Sequence, residues 1–562
     1  MLILTRGIRE ETSVKLSRVR FRIFTVVLVT TFSLLIGHSV PLSAAVTDSE
    51  ERRKIETPLD NGWHGVNFDL TTKDWALPSS LIASKGNYQN AEYLICKSLD
   101  DVTCLQPGWQ MKVRALFDLC NGPADRDCIA SLVAIRPNGE RLEAKQKIVL
   151  ESKHTFAGDK TRWIPDGTGA GIWTIQDGAN AVDFAVVAGI EMRIKNLDPN
   201  LTADANTNVF REKMLMSIQP IDLVQSSQTK EVEFALENGA QVWNTSAIND
   251  GCFVAANGLC ALKKAFSDDL SFELTVRFRK GVPGWMVGRI QNFRLVGTQF
   301  PTNDGFEMKV SGKPVIIGSV HAWSRWENTS EEVRNLYAKG VDGYGWRPNQ
   351  SPEMLNPDGN TRTLLTYVNE SGAKGLAHFN AWLPLIKDKA TSMRTRWNVQ
   401  TVMEKNDAFD KCSENLGLIG IVNSNATVYS AGPPSFNRKE GTLEYQVAAP
   451  HYQSDGKTKH LGTYDLAMRA DVARCLYGFT KAPISAIVII ESESGTTAIA
   501  TKTVTERDGL LRLNASGFSF SSPKIKVKLT QGSIKLKTIT CKKGKKKISI
   551  TGLKPSCPKG YY

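Results

Sequence analysis

The 562-residue chain contains no Cys-x-x-Cys, no His-Glu-x-x-His, no Gly-x-Ser-x-Gly and no phosphate-binding glycine loop. Those absences remove the usual zinc and thioredoxin-like spacings, the metalloprotease helix, the hydrolase elbow and the common nucleotide cradle. Histidine is scarce, at seven residues. Beyond residue 40 no apolar run is long enough to span a bilayer. From residue 521 onward there is neither an acidic residue nor an arginine. Helix start and stop signals are few.

What is present is cysteine in an ordered pattern. Cys96/Cys104, Cys120/Cys128 and Cys252/Cys260 share the spacing Cys-x7-Cys, and Cys412/Cys475 and Cys541/Cys557 remain by elimination. The even count leaves no residue without a possible partner; free buried thiols are the alternative. A Cys-x7-Cys loop suits a hairpin stapled near its turn. Disulfides persist in oxidising compartments, so the pattern implies export. Residues 1–22 hold six basic and two acidic side chains, Ile23 to Val40 is uncharged, and Pro41 and Ser43-Ala44-Ala45 follow. This is the order of a signal peptide cleaved after Ala44 or Ala45. A retained signal anchor is the alternative, and the only membrane contact this sequence suggests.

Charge sits at the two ends. The chain is +13, of which residues 1–45 supply +4 and the twelve lysines of 521–562 supply +12, leaving residues 46–520 at −3. A nucleic-acid-binding protein would spread Lys and Arg over a domain face with aromatics between them, so no nucleic-acid partner is expected. For an exported tail the natural counter-charge is an anionic cell-wall polymer or polysaccharide, met by Lys535, Lys537, Lys542, Lys543, Lys545, Lys546 and Lys547. The alternative is a solvated edge whose lysines only block aggregation.

Short alternating or apolar runs separated by Gly, Asn, Asp and Pro predict a mainly β, multi-domain chain of β-sandwich-like domains with a few short helices and a small C-terminal β-module. Ser131–Ile135, Val182–Val187, Phe272–Phe278, Ala486–Ile490 and Thr497–Val504 are examples. The expected order is a signal peptide (1–45), a linker (46–60), and β-rich domains over 61–225 and 226–320. A mixed Trp-rich segment (321–411), a sandwich-like domain (412–520) and a Lys-rich module (521–562) follow. Thr329 with Glu332 forms a capping box for a helix through Tyr337. Asn406 is placed to cap a second helix, ending at Gly417. Leu376–Ile386 is ambiguous because of Pro384.

The C-terminal third resembles a group of secreted actinobacterial surface proteins without a settled activity. The similar stretches are Tyr445–His451, Asp471–Phe479, Gly517–Pro523, Thr538–Lys547 and Pro555–Tyr561. The resemblance implies an exported or wall-associated protein and pairing of Cys541 with Cys557. It carries no catalytic residues across.

Candidate chemistry is sparse. His321, His378, His451 and His460 lie in no triad context, although His451 and His460 flank the Asp455-Gly456 turn and could face each other across it. Gly167–Gly171 is read as a flexible loop. Asp204, Asn206 and Asn208 start a calcium-loop pattern, but Val209 stands where its glycine belongs. Trp323, Arg325, Trp326, Trp346 and Trp382 are the candidate ligand platform, since indole faces stack on sugar rings; core packing is the duller role. No catalytic residue, metal or cofactor is expected. The favoured function is a non-enzymatic envelope or surface protein. The alternatives are a carbohydrate- or wall-binding protein, and a secreted enzyme acting on polysaccharide with 321–411 shaping a cleft.

Overall fold

The computed structural model describes residues 46–53, 58–68, 78–85, 92–151, 154–195, 197, 209–225, 234–237, 240–243, 251–280, 284–338, 362–366, 372–402, 412, 418–430, 433–437, 439, 442–478, 484–491, 497–500, 505–507, 509–520, 524–531, 537–544, 546–552, 557 and 561. The leader, the calcium-like 204–208 stretch, Trp346, Lys535, Lys545 and the helix expected after Asn406 lie outside these residues.

The protein is mainly β, as its alternation predicts. Strands Cys128–Ile135, Arg141–Leu150, Ala170–Asp177, Asn180–Ile194 and Val209–Gln225 pair in succession, each antiparallel to the last. Val209–Gln225 then pairs with Ser392–Val402, which pairs with Phe306–Arg325. Phe306–Arg325 pairs with Ser271–Phe278, which returns to Cys128–Ile135. The ring closes into a barrel, and closure satisfies backbone groups that a sheet edge would leave open. Its interior holds Phe184, Phe266 and Phe272, with ring centroids 5.2 and 5.3 Å from Phe272. Trp397 is fully buried there, its Nε1–H donating to Gly312 O at 3.0 Å.

Beyond the barrel, Gly284–Gln299 pairs in parallel with Leu418–Ser424, and Leu461–Arg469 and Leu510–Ser519 extend the sheet. A second sheet is built on Thr442–Ala448, Lys524–Gln531, Ile484–Glu491 and Thr497–Ala500. Tyr445 and Val447 of the second sheet pack with Tyr464, Leu466 and Leu513 of the first, a sandwich arrangement.

Pairing crosses the expected boundaries near 225, 320, 411 and 520, and residues 45–562 form one unit. A single 20-residue strand runs through position 320. Lys524–Gln531 belongs to the second sheet, so only the hairpin Lys537–Lys543/Lys546–Gly552 stands apart as a C-terminal module.

Four short α-helices occur among the described residues, and none is long and apolar enough to cross a membrane. Glu331–Ala338 forms where the capping box places it, but Ser330 Oγ takes the Val333 N–H (3.3 Å) while Thr329 bonds back to Arg325 O. Gly372–Trp382 is helical and stops before Pro384.

All five cysteine pairs are bridged. Only Cys252–Cys260 staples a two-stranded hairpin, turned by Asn257 and Gly258. Cys96–Cys104 and Cys120–Cys128 instead close compact loops. In the first, Asp101 accepts the N–H groups of Lys97 and Thr103; in the second, Asp125 accepts those of Asn121 and Gly122. Local carboxylate bonds of this kind compete with ladder formation.

Cys475 is bonded to Cys412, as elimination expects, and lies exposed on helix Ala470–Tyr477, inside the stretch expected to be sandwich-like. The helix turns Ala470, Val472, Ala473 and Tyr477 into the sandwich core, which leaves Cys475 on the face toward solvent. Gly478 ends the helix in the left-handed conformation, as a C-terminal glycine commonly does. The half-buried Cys412 packs on the same core, so this bridge ties the segment at 412 to the outside of the helix and staples no hairpin.

The expected 46–60 linker begins as a docked strap. Asp48–Glu51 is one helical turn capped by Thr47, and Val46 is buried against Ala390 and Met393. Along residues 392–396 strand Ser392–Val402 has a partner on one side only, Phe306–Arg325; its other ladders begin at Trp397. The strap covers that open edge. Glu50 accepts Met393 N–H at 3.3 Å, and Glu51 accepts Thr395 N–H at 2.9 Å while bonding the Arg396 guanidinium. Asp48 accepts Ala265 N–H at 2.8 Å. Residue types that read as a solvated linker thus serve as edge caps. Glu51→Ala leaves a buried N–H and guanidinium short of an acceptor and should cost about 2–4 kcal/mol. Urea denaturation of the variant and of Glu51→Gln tests this; an unchanged midpoint in both would remove the strap from the fold's energetics.

Candidate functional site

The lysine-rich end is set by its hairpin. Lys537–Lys543 pairs with Lys546–Gly552 in a register that puts Lys542 opposite Lys547 and Lys543 opposite Lys546, with Gly544 in the turn at positive φ. Cys541 is buried and bridged to Cys557. Lys542, Lys543 and Lys547 are exposed, and the Lys543 ammonium lies 5.9 Å from the Tyr561 ring centroid. Like charges directly opposite each other disfavour a ladder by a few tenths of a kcal/mol or more per pair. The hairpin is therefore arranged against its own electrostatic interest, and a bound polyanion would relieve it. Lys537 and Lys546 are placed here by backbone register alone.

The expected tryptophan platform separates. Trp382 is fully buried in the cluster of Val66, Phe68, Val320 and Phe379, so it is a core residue and leaves no face for a ligand. Trp323, Arg325 and Trp326 do come together, around strand Trp63–Phe68, which pairs Trp63 with Arg325 and Gly65 with Trp323. Each of these rings has a partner within the fold. The Arg325 guanidinium lies 4.6 Å from the Trp63 centroid and bonds Asp60, whose other oxygen accepts Trp63 Nε1–H at 2.9 Å. His64 lies 4.4 Å from Trp326. Trp323 rests on Gly65, where a Cβ would stand 2.5 Å from the ring. The group fastens residues 60–63 to the long strand.

The glycine-rich 167–171 stretch is packed, not a loose loop. A Cβ at Gly167 would stand 2.2 Å from the Phe156 ring and one at Gly169 2.0 Å from Leu150 O, so these glycines serve close backbone approach into strand Ala170–Asp177. His451 and His460 do face each other, His460 N–H donating to His451 O at 2.8 Å, but the imidazoles pack on Tyr452 and Phe520 respectively. Among the described residues no group of three His, Cys, Asp or Glu could hold a metal ion.

Buried carboxylates are each engaged. Glu191 is held at about 2: burial opposes its ionisation, but Arg114, Lys112 and Lys213 outweigh it. Glu273 pairs with Arg141 and Lys309. Asp465 is the exception in direction. Burial pushes it up to about 6, against hydrogen bonds from Asn514 Nδ2 and Asn292 N–H. Its register neighbour Asn423 is 1 % exposed, and its amide has no hydrogen-bond partner among the described residues.

The chain matches no protein-family model, no curated protein and no solved structure. Function is therefore argued from these sites alone.

Buried titratable groups give the fold a definite pH dependence. Burial lowers His64, His378 and His460 from 6.5 to about 4. Between pH 6.5 and 4 the unfolded chain takes up protons there that the folded chain does not, so stability falls as pH falls, by up to about 3 kcal/mol per histidine. Asp465 acts oppositely. Its penalty is full above pH 6 and gone below about 4, a gain of up to about 3 kcal/mol on acidification. Three histidines outweigh one aspartate. The urea midpoint should drop from pH 7 to pH 4.5, and Asp465→Asn should raise stability at pH 7 but not at pH 4. A midpoint that rises toward pH 4.5 would contradict the neutral, buried imidazoles.

Proposed function

We propose that this protein is an extracellular, non-enzymatic surface protein held to an anionic wall polymer by its C-terminal hairpin. The five disulfides are consistent with an extracellular location. The observation that carries the reading is the clamped hairpin, which sets exposed Lys542 and Lys547 directly opposite each other in a region without any acidic residue. Lysine suits this task better than arginine. Its ammonium is a point charge on a flexible stem, matched to a repetitive, mobile polyanion and not to a fixed bidentate partner. The leader-like sequence of residues 1–45 points the same way.

A polysaccharide-cleaving enzyme is less well supported. Glycoside hydrolysis needs two carboxylates free to act on one bond. Glu51, Glu191 and Glu273 are each occupied by an arginine, and Asp465 is bonded to Asn514 and Asn292.

Binding of the full-length protein to purified cell-wall sacculi tests the proposal. Wild type should bind at low salt and lose affinity steeply by a few hundred millimolar, because exposed charges are screened over roughly 10 Å at 0.1 M. Replacing Lys542, Lys543 and Lys547 by Gln should weaken binding by about tenfold or more and flatten the salt dependence. Salt-insensitive binding that survives the triple replacement would rule the hairpin out as the anchor.

A further inference from the structure

Trp163 sits in the left-handed region, at φ 58°, as does Asp127 at φ 56°. A bulky side chain is strained there, and such strain tends to mark ligand sites. Trp163 closes the hairpin tip Asp159–Ile164, whose ends exchange two backbone hydrogen bonds of 2.8 Å. The Asp159 carboxylate accepts the N–H groups of Thr161 and Arg162 and so fixes the turn from within. Nothing in that turn demands an indole. Among the described residues the half-buried ring belongs to none of the buried hydrophobic clusters, so burial offsets the strain only in part.

One buried arginine arranges the neighbourhood. Arg211 pairs with both Asp127 oxygens at 3.1 Å, each side chain 4 % exposed. Its guanidinium also donates to the carbonyl oxygen of Trp163 at 2.9 Å and to that of Lys280. The same ion pair thus holds the backbone of both Trp163 and Lys280. Asp127 further accepts Arg279 N–H at 3.1 Å. Above this base the exposed Lys280 ammonium stands 5.1 Å from the half-buried Trp163 ring centroid.

We propose that Trp163 and Lys280 form a binding site for an anionic saccharide. The apolar C–H face of a pyranose stacks on the indole, and a carboxylate or phosphate on the sugar pairs with the Lys280 ammonium. Arg211 and Asp127 are positioning residues. The site lies on the barrel and owes nothing to the lysine hairpin, so it stands or falls separately from the anchoring role.

Calorimetric titration of the full-length protein tests it, with trigalacturonate, glucose 6-phosphate and neutral galactotriose as probes. At least one anionic probe should bind wild type, and which one tells carboxylate from phosphate. Glycine accepts a left-handed conformation without strain, so Trp163→Gly should keep its melting temperature within a few degrees. It should nonetheless weaken that probe by about tenfold or more. Lys280→Gln should weaken the anionic probe by about three- to tenfold and leave the neutral trisaccharide unchanged. The Lys542/Lys543/Lys547 triple glutamine variant should bind the probe as wild type does. Failure of both anionic probes to bind wild type, or full affinity in Trp163→Gly, overturns the proposal without touching the wall-binding result.

Discussion

A strand offers backbone N–H and C=O groups along two edges, and in a sheet of this extent every edge not met by another strand must be met by something else. An unpaired buried N–H costs about as much as a lost hydrogen bond, so the demand cannot be deferred. The protein meets it first by closure, returning Ser271–Phe278 to Cys128–Ile135. Where closure stops, carboxylates take over. Glu50 and Glu51 accept from Met393 and Thr395 on the open edge of one strand, and Asp465 accepts the N–H of Asn292 beside a register shift in another. Asp101 and Asp125 do the same in the two disulfide-closed loops. These five carboxylates are thereby assigned to the backbone.

That division of labour explains how charge is distributed. Buried arginines answer buried acids: Arg396 with Glu51, Arg114 with Glu191, Arg211 with Asp127. The planar guanidinium can also donate to several carbonyls at once, as Arg289 does to Ser424 O and Ala426 O. Lys542 and Lys547 of the terminal hairpin sit exposed in a segment with no acid, opposed to each other across the ladder.

Much of the local structure was legible in the sequence. Period-two alternation located Ser131–Ile135, Val182–Val187 and Phe272–Phe278 inside observed strands, and cysteine spacing with elimination named all five bridges. The setting of those bridges was less legible: a pairing says which sulfurs meet, and nothing in it puts Cys475 on the solvent face of a helix. Barrel closure was not legible, because alternation marks a strand and a face but carries no record of the partner. Strand partners lie far apart in the chain, as with Val209–Gln225 and Ser392–Val402. The strap was misread for a related reason. Asp48, Glu50 and Glu51 look solvated until the strand they cap is in place. Of the ligand candidates, Trp382 turned inward on a helix that Pro384 seemed to forbid, although the helix simply ends before it.

The tryptophans show where composition ceases to inform. Trp63, Trp323 and Trp326 are engaged by Arg325, Gly65 and His64, so each ring already has a use within the fold. Trp163 differs through a backbone angle that no residue pattern announces. Asparagine or glycine would occupy its position at lower cost, and its ring is absent from every buried cluster. Arg211 nevertheless commits a buried ion pair to holding the carbonyls beneath Trp163 and Lys280. Strain that burial offsets only in part, next to an exposed lysine whose backbone is held from the same base, is what the proposed binding surface rests on.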